Sequence, residues 1–194
     1  MTETSFYTRE ELQKLNLKSF GRKVLISRNA KMYNVSNIEI GDNVRIDDFC
    51  ILSGKIKLGS HIHIASGVYM FAGDAGIEVE DFSGLSPRCS VFAISDNFSG
   101  QWLTSPVIYD EYRNVSSKKI ILKKYTLVGT DTVILPGVIM AEGSTVGAKS
   151  LVRKKTEPWT VYNGSPAKKI KARSKDLLNL EKKFLKTWNS ENAY

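Results

Sequence analysis

Imidazole and thiol, the groups most often recruited for proton transfer, nucleophilic attack and metal binding, are scarce in these 194 residues. There are two histidines, His61 and His63, and two cysteines, Cys50 and Cys89. A catalytic zinc takes three protein ligands. The histidines, spaced i, i+2 so that on a strand they point the same way, offer no third, and no metal site is expected. The cysteines fall at positions where equivalent segments carry Val44, Ile62, Val68, Ser83 or Ser95, so they read as small core residues of a protein kept in a reducing compartment.

Carboxylate, hydroxyl and aromatic groups are richest in one irregular stretch, 95–118, which opens on Ser95-Asp96-Asn97 and contains Trp102, Tyr109, Arg113 and Asn114. A segment this long without periodicity inside a compact domain is usually functional. Its mixture of rings and polar groups is the chemistry of a ligand site or an interface, not of a linker. Asp81 and Ser86 lie just upstream. Positive charge collects at the other end: from Lys149 onward twelve basic residues face four acidic ones, an excess equal to the +8 of the whole chain. Such an end suits nucleic acid, an anionic surface or a polyphosphate ligand. No helix-turn-helix, zinc-finger or RNA-binding aromatic pattern accompanies it, so nucleic acid is not the expected partner.

These groups must be held by a scaffold, and its signature is a six-residue beat. Aliphatic anchors fall at Ile40, Ile46, Leu52, Leu58, Ile64 and Met70, resume after a three-residue slip at Val79, Leu85 and Val91, and return at Leu122, Val128, Ile134, Met140, Val146 and Val152. A period of six fits neither a helix nor an ordinary strand. Fixed-period self-similarity signals stacked coils that bury their apolar side against their neighbours. Three hexads make a triangular coil, so Ile40 is expected under Leu58 and Ile46 under Ile64. The slip at Gly73-Asp74-Ala75-Gly76 reads as a small bulge at one corner, and 95–118 as a long loop thrown out at another.

The ends need covers, because an exposed last coil offers bare strand edges. Thr8 with Glu11 three positions on is a capping box that opens a short helix carrying Leu12, with Leu15 and Leu17 beyond it. After Asn163-Gly164-Ser165-Pro166 and the basic stretch from Lys168 to Arg173, Ser174 reads as the N-cap of a terminal helix whose apolar face is Leu177, Leu178, Leu180, Phe184, Leu185 and Trp188. That face must pack on its own solenoid or on a neighbouring subunit. The expected organisation is a cap at 1–23, a solenoid at 24–173 and a helix at 174–194. Met1-Thr-Glu-Thr-Ser-Phe lacks the pattern of a signal peptide and no apolar run approaches transmembrane length, so a soluble, cytoplasmic protein is expected.

The hexad repeat, its long interruption and the closing Asn163-Gly164-Ser165-Pro166-Ala167-Lys168 together resemble the hexapeptide-repeat acyltransferases. The resemblance implies an all-β solenoid, a left-handed parallel β-helix, working as a homotrimer with acyl-coenzyme A lying between subunits. It implies that Gly129, Thr130, Ala148 and Lys149 line the pantetheine track, with Lys154, Lys168, Lys169 and Arg173 as candidates for the phosphates. Sugar and antibiotic O-acetyltransferases of this type carry a histidine at the start of the loop, where this chain has Ser95-Asp96-Asn97.

An amine acceptor accounts for that departure, because a neutral amine attacks a thioester once it is positioned. The segments around Asp81, Ser86 and Asp96 resemble the sugar-nucleotide N-acyltransferases of the anthrose route, in which an acid, a serine and an aspartate form the site. Asp96 is then expected to orient the amine and accept its proton, with Ser86 and Asp81 in support. Asn97, Trp102, Tyr109, Arg113 and Asn114 are expected to hold the sugar nucleotide, Arg113 by pairing with its diphosphate. The implied activity is acyl transfer from coenzyme A to a nucleotide-linked amino sugar, a dTDP-4-amino-4,6-dideoxy-hexose, in surface glycan biosynthesis. Two rivals stand beside it. One is an O-acetyltransferase with His63, placed at a corner, as base; the other is a solenoid that serves only as an assembly module.

Overall fold

An aliphatic residue at every sixth position can face one interior only if the chain turns a corner after each segment. The computed structural model, which describes residues 5–192, does this throughout. Positions 1–4 of the expected cap, including the start inspected for a leader, and positions 193–194 of the expected terminal helix lie outside the described residues.

Short parallel strands stack on three faces. The first carries Leu25–Ile26, Val44–Ile46, Ile62–Ile64, Gly84–Leu85, Leu127–Val128, Thr145–Val146 and Thr160–Asn163. The second carries Lys31–Tyr33, the beginnings of the long strands Ile51–Leu58 and Tyr69–Val79, then Ser90–Phe92, Val133–Ile134 and Leu151–Val152. The third carries Ser19–Phe20, Ile38–Ile40, the ends of the two long strands, Ile120–Leu122 and Ile139–Met140. Parallel coil pairing therefore begins at Ser19, inside the segment expected to be cap.

Register follows the beat. Ile40 pairs with Leu58 and Ile46 with Ile64, eighteen residues on. Across the slip Leu58 pairs with Val79, and across the long loop Leu85 pairs with Val128. The anchors Ile46, Leu52, Ile64, Met70, Val91, Leu122, Val128, Ile134 and Met140 have no exposed surface. Each such side chain contributes about 2 kcal/mol of hydrophobic stabilisation, and together they form one continuous core column. Cys50 and Cys89 are wholly buried within it, and burial pushes both thiols up to about 11.

The first corner joins the first and second faces, the second corner joins the second and third, and the third returns to the first. At the second corner the two long strands run on without a break, with register irregularities around Gly54 opposite Gly73. A Cβ on Gly54 would meet the Gly73 nitrogen at 2.6 Å, and both glycines have positive φ, 93° and 52°. The three-residue slip is absorbed there.

The first coil is covered by a helix, and at the last coil Lys168–Ala172 adds an antiparallel strand to Thr160–Asn163. The capping box forms, with Glu11 N–H donating to Thr8 Oγ1 and Thr8 N–H to Glu11 Oε2, and Leu12 enters the core. The terminal helix, Leu177–Glu191, packs on its own solenoid. It begins later than Ser174: Ser174 Oγ accepts the Asp176 N–H at 3.1 Å in a local turn, and the helix follows. Its support is the third corner, where Lys23, Asn43, His61, Phe82 and Tyr125 all take positive φ between 51° and 63°. That conformation costs roughly 1 kcal/mol per residue without glycine. Ring stacking offsets it: His61 and Phe82 centroids are 4.6 Å apart, and Phe184 and Trp188 meet His61 edge-on at 5.0 and 5.1 Å. Lys124 Nζ to Glu181 Oε1 at 2.6 Å and Arg22 Nη1 to the Asn192 carbonyl at 2.8 Å pin the helix along the corner.

Candidate functional site

Asp81, Ser86 and Asp96 belong to one coil, but each stands at a different corner. Five residues separate Asp81 from Ser86 and ten separate Ser86 from Asp96, and a coil turns once per hexad. Asp81 is at the third corner, where its Oδ1 accepts the Ser60 N–H at 2.7 Å. A Cβ on Gly59 would lie 2.3 Å from that oxygen, so glycine there makes room for the carboxylate. Asp42 makes the same bond to the Arg22 N–H at 2.7 Å. Asp81 is thus a rung in a ladder of corner caps, and the structure does not bring it to the loop.

Asp96 lies at the second corner, where the loop leaves. Ile94 and Ser95 pair antiparallel with Ser117 and Ser116, and the Lys118 N–H donates to the Ala93 carbonyl at 2.8 Å, so the loop departs from and returns to one point. Asp96 is held through both oxygens: Oδ1 faces Arg113 Nη2 at 3.3 Å, and Oδ2 accepts the Ser105 N–H at 3.4 Å. The pair borders a cavity of about 280 Å³ whose other walls are Phe71, Phe92, Ile94, Ser95, Pro106 and Val115. Phe71 and Phe92 stack with centroids 5.6 Å apart. The site is one ion pair set against an apolar wall.

Arg113 departs from its expected role as a free partner for a diphosphate. Its side chain is 14% exposed and is engaged with Asp96 and, at 3.4 Å, with Asp110 Oδ1. Its Nε is buried without a hydrogen-bond partner. Asn97 Oδ1 accepts the Ser99 N–H at 2.8 Å and shapes the loop's first turn. Trp102 lines a separate groove with Leu103 and Tyr112. Tyr109 and Asn114 are exposed on the loop surface.

Ser86 stands where the first face enters the first corner, and it belongs to a column. Its N–H donates to the Val128 carbonyl; the Gly129 N–H above donates to Val146 and the Gly147 N–H to Tyr162. Ser86, Gly129 and Gly147 therefore stack along the solenoid axis. A Cβ on Gly129 would come within 2.5 Å of the Ala148 nitrogen, so this edge is bare backbone by steric necessity. Thr130 and Lys149 continue the corner, the Lys149 N–H donating to the Thr130 carbonyl at 2.8 Å.

In the last coil a basic cavity of about 280 Å³ is lined by Arg153, Lys154, Lys155 and Lys168, with Thr156, Tyr162, Pro166 and Ala167. Lys154 and Lys168 of the expected phosphate set meet here. Lys169 does not line this cavity and pairs with Glu157 at 2.5 Å. Arg173 is elsewhere: its Nη1 donates to the Tyr125 and Gly143 carbonyls at 2.6 and 3.0 Å beneath the terminal helix, and burial lowers its pKa.

The two histidines diverge. His61 is a corner residue half-buried among rings, whereas His63 lies mid-strand on the first face, not at a corner. Its Nε2 sits 2.7 Å from Asp47 Oδ2. Among the described residues no group of three His, Cys, Asp or Glu could hold a metal ion, and no helix is long and apolar enough to cross a membrane.

Sequence reasoning missed the Phe71–Phe92 wall and the part of Arg153 and Lys155 in the basic cavity. The signal for the wall was present: each phenylalanine follows an anchor, Met70 or Val91, and so points outward.

No family model matches the chain. It is 40% identical over 178 residues to the dTDP-4-amino-4,6-dideoxy-D-glucose acyltransferase of Escherichia coli, covering 90% of this chain and 92% of that one. It is 28% identical over 144 residues to the putative lipopolysaccharide biosynthesis O-acetyl transferase WbbJ of Escherichia coli K12, covering 70% and 68%. Among solved structures it is similar to AntD, an N-acyltransferase from Bacillus cereus in complex with dTDP and 3-hydroxybutyryl-CoA: TM-score 0.94, 47% identity, 96% of this chain and 100% of that one. An AntD variant with a serine replaced by cysteine, in complex with dTDP-4-amino-4,6-dideoxyglucose and coenzyme A, matches at TM-score 0.93 and 47% identity over 95% of this chain and 98% of that one.

Proposed function

The chain belongs to the hexapeptide-repeat, left-handed β-helix acyltransferases, and on that premise we propose that it acylates the amine of a dTDP-linked 4-amino-4,6-dideoxy-hexose, with acyl-coenzyme A as donor. The observation that carries the reading within the site is the column of Ser86, Gly129 and Gly147. A long, thin ligand can lie along its bare backbone, with its phosphates toward Arg153, Lys154, Lys155 and Lys168 and its thioester toward Ser86. Gly129, Thr130, Ala148 and Lys149 border that track.

Asp96 then meets the acceptor. The amine lone pair attacks the thioester carbon, the C–N bond forms and the C–S bond breaks. Asp96 takes the proton that nitrogen loses, and the departing thiolate receives it, so the carboxylate ends as it began. Backbone N–H groups stabilise the oxyanion, as acyl transfer requires. Ser86 is placed in reach of the thioester, whereas Asp81 serves the corner. Asn97, Trp102, Tyr109 and Asn114 form the loop surface that meets the nucleotide.

The working assembly in this reading is a homotrimer. Ser86 and Asp96 stand at opposite ends of one face of the same subunit, so a site that uses both takes Ser86 from one subunit and Asp96 from its neighbour. Exposed Leu25 and Leu127 on the first face, Phe49 at the first corner and Tyr69 on the second face supply the apolar contact. The enzyme works in the cytoplasm, where its cysteines stay reduced, and its product enters surface glycan biosynthesis. The rival O-acetyltransferase reading, with His63 as base, has the likeness to WbbJ in its favour.

A panel assay of acetyl-CoA against amino-sugar and hydroxy-sugar nucleotides, followed by thiol release, tests the proposal. Turnover confined to amino sugars is expected. Turnover confined to hydroxy sugars would replace it with O-acylation.

A further inference from the structure

The geometry points to Arg113 as the residue that keeps the acceptor nitrogen unprotonated in the pocket, an inference that rests on the amine-acylating reading above. An amine that reaches Asp96 faces a difficulty. A lone carboxylate favours the ammonium form, and an ammonium has no lone pair with which to attack.

Arg113 removes that preference. Its Nη2 is 3.3 Å from Asp96 Oδ1, so any nitrogen hydrogen-bonded to Asp96 also comes close to a guanidinium. Guanidinium stays charged at any working pH. The charged groups at the pocket are few. Asp96 and Arg113 line it, and Asp110, with a 99% exposed side chain, meets Arg113 from the solvent side. The loop adds the Ser105 N–H and Pro106, and the strands and loop return add Phe71, Phe92, Ile94, Ser95 and Val115, none of them charged. With Arg113 the one carboxylate that lines the cavity is balanced, and without it that carboxylate is an unpaired anion that favours ammonium.

The Arg113 Nε is also buried without a hydrogen-bond partner among the described residues. Arg113 acts through Asp96 and the bound amine, and is a positioning residue. The reaction is unchanged in its balance: the neutral amine forms the C–N bond, the C–S bond breaks, and coenzyme A leaves as thiol with the proton relayed by Asp96.

The pH dependence of kcat reports groups in the enzyme–substrate complex. With an amino-sugar nucleotide, the acidic limb of the wild-type profile is expected at or below the pKa of the same amine titrated free in water. A limb above that value overturns the proposal with no variant needed. Arg113→Gln is expected to move the limb upward by about one unit, and Arg113→Lys, which restores the charge, to return it to within a few tenths of wild type. A Gln variant that loses kcat equally at every pH with its limb unmoved makes Arg113 structural and overturns the proposal. Should Arg113→Gln fail to fold in a thermal melt, the wild-type limb and the Lys variant decide. Failure of the amine reading itself shows separately, as wild-type enzyme that acylates no amino sugar.

Discussion

His63 Nε2 lies 2.7 Å from Asp47 Oδ2, while the other Asp47 oxygen takes the Arg45 guanidinium at 2.6 Å. Burial pushes the Asp47 carboxyl up, but these hydrogen bonds outweigh it and hold the group below the usual carboxylate range. The imidazole is therefore anchored to the first face by an ionised partner. His63→Ala is expected to leave kcat for an amine acceptor within about threefold of wild type. A hundredfold loss in steady-state thiol release would make the imidazole the base.

Because Ser86 and Asp96 occupy different corners, two crippled proteins can complement each other. Ser86→Ala and Asp96→Asn are each expected to lower kcat. If the proposed sites are built across a symmetric interface, co-refolding equal amounts returns about a quarter of wild-type activity per site. Mixtures no more active than the parents would put both residues in one subunit's site or exclude Ser86 from it.

The basic cavity is expected to act on donor binding alone. Lys154→Ala with Lys168→Ala removes two of its four cations, and KM for acyl-CoA is expected to rise about tenfold with kcat unchanged, the mark of lost uniform binding. Raised salt should weaken wild type in the same direction. A fall in kcat with KM preserved would mean that the donor's phosphates sit elsewhere.

Stability should fall on mild acidification, through His61. Burial under the terminal helix lowers its pKa, against the attraction of Asp81, Asp42 and Glu181. The unfolded chain takes its proton near 6.5, where the folded chain still holds the ring neutral. Stability is therefore full above about 6.5 and declines as pH drops below it toward the folded value. Tm measured from pH 7.5 to 5.5 should fall in wild type and fall less in His61→Phe, which keeps a ring against Phe82. Equal slopes would remove His61 from the effect.

The solenoid was legible because its rule is local. Each anchor enters the core in the coil where it is read, so Ile40 under Leu58 and Ile46 under Ile64 follow from counting. The loop's point of departure beside Asp96 was legible for the same reason. The corners were not. Non-glycine residues there adopt positive φ, which residue type alone disguises, so the corner expected for His63 belongs to His61, and His63 lies mid-strand. The partners of Arg113 were not legible because they depend on how a non-periodic loop folds back, and those of Arg173 because its carbonyl acceptors, Tyr125 and Gly143, are 48 and 30 residues away.

The central claim is that Asp96 receives the proton of an amine acceptor, and Asp96→Asn tests it most directly. The amide keeps the shape but has one acceptor oxygen, so it keeps the bond to Arg113 or to Ser105 and not both, and it cannot take a proton. With acyl-CoA and a dTDP-4-amino-4,6-dideoxy-hexose, kcat is predicted to fall at least about hundredfold, within the range of general acid–base catalysis, with little change in KM for acyl-CoA. An Asp96→Asn enzyme that turns over at the wild-type rate would contradict the account.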